Sequence, residues 1–220
     1  MPLSNPLLLS DFMDLVRLSL DGLLVELSER RRVGETGGGE IVDSDLGPRL
    51  WRGEFPFADM PLDVGRIACA RLDLLRGSGA KFLATDPNAA WPAADPLGAQ
   101  IATASPVVAE DFADRRILRI AGLPANYRLS IGDRFSFYYG PDNTSLAYQE
   151  IVAPVQADAQ GETGPVEVRP HLRPGIPDAA PLRFTRPIVK AVLMPGETRK
   201  PLHRRTHWAG GSITWQQTLR

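Results

Sequence analysis

Two histidines four residues apart, His203 and His207, carry the spacing that would set two imidazoles on one helix face for a metal ion. The residues between them, Arg204-Arg205-Thr206, lack the glutamate of a zinc-protease helix, and Pro201 and Gly210-Gly211 on either side speak against a helix. The third histidine, His171, stands between prolines and has no identifiable nucleophile partner, and the chain has no Gly-x-Ser-x-Gly elbow. Glu40, Asp43 and Asp45 gather near a glycine loop but miss the ligand spacing of a calcium loop, so they read as turn residues. Gly37-Gly38-Gly39 lacks the Lys-Ser/Thr pair of a phosphate loop, and Asn143-Thr144-Ser145, though it fits a glycosylation sequon, reads as a turn. The single cysteine, Cys69, excludes an intrachain disulfide and reads as a small apolar residue near the buried side of a helix. These groups supply no acid/base, nucleophile or metal constellation. The residue content therefore predicts no enzyme, no cofactor and no metal, and speaks against a peptidoglycan hydrolase.

The elements that would position these residues are mostly strands. Phe135, Phe137 and Tyr139 alternate with Arg134, Ser136 and Tyr138, the period of a half-buried strand, and Gly132-Asp133 and Gly140-Pro141 punctuate its ends. The parity predicts that the first three point inward and that Tyr138 is the exposed contact candidate of this strand. An aromatic face of this kind could also be a stacking platform for sugars or single-stranded nucleic acid. Further strands are expected at Leu23–Leu27, around Trp51, Gly53 and Phe55, at Ile117–Ile120, 148–152, 166–169, Leu182–Thr185, Ile188–Met194, and around Ile213 and Trp215. The one helix pattern spans 62–76, with Val64, Ile67, Ala68, Leu72 and Leu75 as its apolar face. Glu35–Glu40 reads as a glycine loop and Ala89–Pro96 as a long surface connection. One helix among many short strands predicts an α+β chain of mainly antiparallel sheet.

Charge divides the chain unevenly. Residues 183–220 carry eight basic side chains against Glu197 alone, a net +7, while the rest holds 17 basic and 25 acidic residues, a net −8. A basic terminal region seeks a negative partner, and Arg199, Lys200, Arg204 and Arg205 are the candidate contacts between subunits or with a partner; a solvated surface is the plainer alternative. Gly and Pro, 20 each in 220 residues, favour a loop-rich β chain over a helical bundle. No apolar run approaches the roughly 18 residues that span a bilayer, and the N-terminus lacks the basic region and cleavage site of a signal peptide.

Several motifs recur in one order: Asp45-Leu46-Gly47-Pro48-Arg49-Leu50-Trp51-Arg52-Gly53, Phe82-Leu83-Ala84-Thr85-Asp86-Pro87, Trp91-Pro92-Ala93-Ala94-Asp95-Pro96-Leu97-Gly98, Gly122-Leu123-Pro124-Ala125-Asn126-Tyr127, Ile131-Gly132-Asp133, Ala157-Asp158-Ala159, and the run Val166 to Gly175. In this order, over roughly residues 37–194, the chain resembles the distal tail proteins of long-tailed bacteriophages, of the type found in phages of alphaproteobacteria. The resemblance implies a tail-tube-like β-sandwich with one flanking helix, formed by residues 1–105 with 183–220, carrying a small β-barrel over 106–182. It also implies a structural virion protein, made in the bacterial host cytoplasm and placed at the distal end of the tail. Six copies would close a ring that joins the tail tube protein to the hub or tail-tip protein, with DNA passing through the lumen without specific binding and no membrane involved. The alternative from another class is a carbohydrate-binding module of the tail tip that touches host surface polysaccharide.

Overall fold

Strand formation follows the alternation of apolar side chains, and every ladder is antiparallel. The computed structural model describes residues 3–219. In chain order its strands are β1 (Leu24–Leu27), β2 (Arg31–Glu35), β3 (Ile41–Asp45), β4 (Trp51–Pro56), β5 (Phe82–Thr85), β6 (Val107–Asp111), β7 (Ile117–Ala121), β8 (Arg128–Leu129), β9 (Arg134–Tyr139), β10 (Ser145–Ile151), β11 (Val155–Gln156), β12 (Val166–Arg169), β13 (Ile188–Leu193), β14 (Leu202–His203), β15 (Trp208–Ala209) and β16 (Ser212–Gln217). Among the described residues there is one α-helix, α1 (Leu62–Leu75). The fold is α+β, dominated by antiparallel sheet.

One five-stranded sheet runs β1-β4-β16-β13-β5 and draws on both ends of the chain; the other runs β6-β7-β12-β10-β9 and curls into a half-barrel. Residues 180–183 span the gap between the half-barrel's two edges. Val108 donates to the Ala180 carbonyl (2.9 Å) and Leu182 to the Pro106 carbonyl (2.8 Å) on one side, while Arg183 and Ser136 exchange backbone bonds (2.8 and 3.0 Å) on the other. The strand expected at Leu182–Thr185 is therefore a bridging segment with isolated pairings to two edges, which blunts both of them.

Each sheet has its own core, and β10 belongs to both. Its Leu146 and Tyr148 enter the core of the first sheet beside Trp51, Phe55, Phe82 and Trp215, whereas Ala147 and Ile151 enter the second beside Phe135, Phe137 and Phe184. The period of two thus makes one strand the shared wall of two cores. Phe135, Phe137 and Tyr139 are buried as their parity predicts.

At this wall the chain buries a charge. Arg134 on β9, with its side chain 13% exposed, bonds to Asp86 just past β5 and to Glu150 on β10 (3.3 Å). Glu150 turns its other oxygen to Arg169 on β12 (2.5 Å). The guanidinium lies over the Trp51 ring, 4.9 Å from its centroid, with Tyr148 at 5.9 Å. Burial opposes the charge on Arg134, but Tyr148, Asp86 and Glu150 outweigh it and hold its pKa above the ordinary value. The same burial pushes the Tyr148 hydroxyl above its ordinary value.

The connection at Ala89–Pro96 runs over the surface as expected, with Trp91, Ala93, Ala94 and Pro96 exposed, but two buried carboxylates pin it. Asp95 is buried and accepts backbone N–H bonds from Ala99 (3.0 Å), Gln100 (2.9 Å) and Ile101 (2.9 Å), and buried Asp133 accepts from Ala93 and Ser130 (2.8 and 2.7 Å). Trp91 covers Gly98, whose positive φ and bare Cα admit the ring. Carboxylates satisfying three amides apiece, or two, replace the ladder that a strand would have given these residues.

The helix face also differs from expectation. Leu72, Leu75 and Ala68 are buried and Val64 packs against the core, but Ile67 is 40% exposed. The buried stripe runs Gly65, Ala68, Leu72, Leu75, because Gly65 lets the Trp208 indole lie directly on the helix backbone and turns Ile67 outward. Leu72→Ala should cost about 2–5 kcal/mol in a urea titration through the cavity it leaves, while Ile67→Ala should cost less than about 0.5 kcal/mol. Arg134→Met should cost about 3–5 kcal/mol by leaving the buried Asp86 without a cation and Glu150 with Arg169 alone, and Arg134→Lys should recover little, since an ammonium cannot serve both carboxylates and the ring face.

Candidate functional site

The basic terminal segment folds as a hairpin. β14 pairs with β15 in the register Leu202↔Ala209 and His203↔Trp208, and the Arg204 N–H donates to the His207 carbonyl (2.7 Å) to close a turn over Arg204-Arg205-Thr206-His207. Trp208 clamps this hairpin to the body. Its backbone exchanges bonds with Met60 (2.8 and 2.9 Å), its indole N–H donates to the Leu62 carbonyl (3.2 Å), and its ring rests on Gly65.

The four candidate cations separate by role. Lys200 is committed to Asp73 on α1, with Nζ 2.5 Å from the carboxylate. Arg199 uses its backbone to pair with Ser212 (2.8 and 2.9 Å) and leaves its side chain exposed. Arg204 and Arg205 stand exposed at the hairpin tip, with no ion pair among the described residues. Of the other basic residues, Arg183 and Lys190 have pKa values lowered by burial, Arg186 pairs with Asp14, and Arg220 lies outside the described residues.

The two histidines of this segment do not share a helix face. His203 lies on β14 with its ring edge-on to Trp208 (5.0 Å between centroids), and His207 ends the turn with Nε2 3.7 Å from Asp59. Among the described residues no three of His, Cys, Asp and Glu come together in a way that could hold a metal ion. Cys69 is half-buried on α1, and burial raises its thiol pKa, which keeps it protonated at neutral pH.

Tyr138 stands 44% exposed on β9, next to a depression of about 400 Å³ formed with Asn143, Pro177, Asp178, Ala180 and Pro181. It lies in a different part of the fold from the Arg204 hairpin, on the half-barrel instead of the separate β14–β15 ladder.

A second arm was not read from the sequence. β2 and β3 form a hairpin around Thr36–Gly39 in which every side chain described is exposed, including Val33, Ile41 and Val42. Asp43 and the backbone of Asp45 lie in its second strand, not in a turn as their spacing had suggested. The signal available was the alternation Arg31, Val33, Glu35 on one side of three glycines and Ile41, Asp43, Asp45 on the other. Among the described residues no helix is long and apolar enough to cross a membrane. No protein-family model matches the chain, and no curated protein matches it.

The clamp makes a specific demand on α1. A methyl group at Gly65 would overlap the Trp208 ring, so Gly65→Ala should lift the hairpin, cost about 1–3 kcal/mol, and speed tryptic cleavage after Arg204 and Arg205. Gel analysis of a trypsin time course reads this directly; unchanged cleavage would place the clamp elsewhere.

Proposed function

We propose that this chain is a structural, ring-forming protein of a long-tailed bacteriophage tail, without catalytic activity. In this reading it is made in the host cytoplasm, sits at the distal end of the virion tail, and joins the tail tube protein to the hub or tail-tip protein as a hexamer through which DNA passes. The order of motifs from Asp45 to Gly175 suggests the family. The observation that carries an assembly role is the pair Arg204 and Arg205, exposed without ion pairs at the tip of a hairpin clamped to the body.

A closed ring repeats one contact at every interface, so a basic tip on one subunit and the net-negative remainder of the next would reinforce closure at each step. Exposed ion pairs are worth about 0–1 kcal/mol each, so the tip sets register and partner choice more than affinity. Lining the lumen with these arginines is the weaker assignment, because phosphates held tightly would impede DNA passage.

Negative-stain electron microscopy of the purified protein, alone and with its tail partners, is expected to show closed rings for the wild type. Arg204→Glu with Arg205→Glu should abolish or strongly reduce them while the thermal melting curve stays unchanged. Rings of normal yield in the double variant would reduce the tip to a solvated surface.

A second reading has an observation of its own. Tyr138, beside Asn143 and Asp178, offers a ring and amide and carboxylate groups of the kind that hold a sugar, which fits a carbohydrate-binding module of the tail tip touching host polysaccharide. Isolated monomers that bind host polysaccharide, with binding lost in Tyr138→Ala, would favour it over the ring.

A further inference from the structure

Between the β3–β4 connection and the end of β12 lies a cleft of about 450 Å³ that neither reading above uses. Its walls carry four guanidinium groups, from Arg49, Arg116, Arg169 and Arg173, with His171, against the single carboxylate of Glu167. Two of the arginines are already neutralised. Arg116 is bonded to Asp114 through two hydrogen bonds (3.1 and 2.8 Å), an arrangement that lowers the Asp114 pKa to about 2, and Arg169 is bonded to Glu150.

The other two are not. Arg49 reaches only the carbonyls of Ser28 (3.3 Å) and Leu27 (3.5 Å), and Arg173 has no carboxylate partner among the described residues. They face a cleft whose accessible apolar surface comes from Val152, Pro48, Pro170 and Pro174, while Val168 and Leu172 behind it are buried in the half-barrel core. No Phe, Tyr or Trp lines it, and the His171 imidazole is the one aromatic ring among the lining residues, so it lacks the row of rings on which successive bases stack. Guanidinium forks beside Val152 and three prolines match carboxylates spaced along a chain whose intervening side chains are apolar.

We infer that this cleft binds an extended acidic peptide segment of a partner protein, in which Glu or Asp side chains pair with Arg49 and Arg173 and apolar side chains rest on Val152 and the Pro48, Pro170 and Pro174 rings. The site is independent of the Arg204 hairpin and of ring closure.

The test uses the full chain and a short fluorescein-labelled peptide of alternating Glu and Val, followed by fluorescence anisotropy at low ionic strength. Saturable binding is expected, weakened at least about tenfold by Arg173→Glu and by Arg49→Glu, each a lost charge-assisted contact. Arg204→Glu with Arg205→Glu should leave the affinity intact, which separates this site from the assembly surface. Double-stranded DNA or hyaluronate that displaced the peptide as well as unlabelled peptide does would overturn the assignment, since the cleft would then read negative charge alone. Absence of saturable binding, or binding indifferent to Arg173→Glu, would overturn it too. Should either variant fail to fold, the wild type still decides: the peptide must protect Arg173 from phenylglyoxal modification, and unprotected Arg173 contradicts the site.

Discussion

A guanidinium taken out of water needs its charge answered on every side, and Arg134 meets that need with groups from distant parts of the chain. Asp86 comes from the end of β5, Glu150 from β10, and the Trp51 ring from β4. Glu150 in turn ties Arg169. Removing Arg134 would leave the buried Asp86 without a cation and Glu150 with Arg169 alone, a cost of several kcal/mol, so the position of these elements rests on that one guanidinium. The neighbouring β10 wall, with alternate side chains in two cores, enforces the same relation through apolar contact. Together they fix the half-barrel on the first sheet.

That fixity gives the surface features their meaning. A hairpin tip can select a partner's register only if its base does not swing, and Trp208 on the bare backbone of Gly65 anchors it to the helix that packs in the first core. The arginine cleft likewise takes one wall from the β3–β4 connection and the other from β12, so its shape depends on the same junction. Two surfaces of positive charge thus sit on one body, and the proposed ring assembly and the proposed peptide site each rest on one of them.

What could be read in the sequence was whatever burial writes locally. The β9 alternation, the Ile213 and Trp215 pair of β16 and the α1 pattern each place apolar residues at a fixed spacing, and each element is found where that spacing puts it. Ile67 misled because an apolar residue marks a buried face only on average, and a glycine that admits a tryptophan leaves no hydrophobic signature. Ala89–Pro96 was legible as a surface connection, but its anchoring was not, because it comes from Asp95 and Asp133, polar residues whose burial depends on distant packing. The β2–β3 arm has no buried face at all, so its period carried little weight. Charge was legible only as a sum. That Lys200 is taken and Arg204 and Arg205 are not depends on Asp73, 127 residues away, and that Arg134 is buried depends on Asp86, 48 residues away.

That the two sheets move as one body through the Arg134 junction is tested most directly by native-state hydrogen exchange. In the wild type, amides of β13 in the first sheet and β9 in the half-barrel should open with the same free energy and the same denaturant dependence, as one cooperative unit. In Arg134→Met the half-barrel amides should open at lower free energy than those of β13. Separate opening of the two sheets already in the wild type, or unchanged common opening in the variant, would contradict the role assigned to the buried arginine.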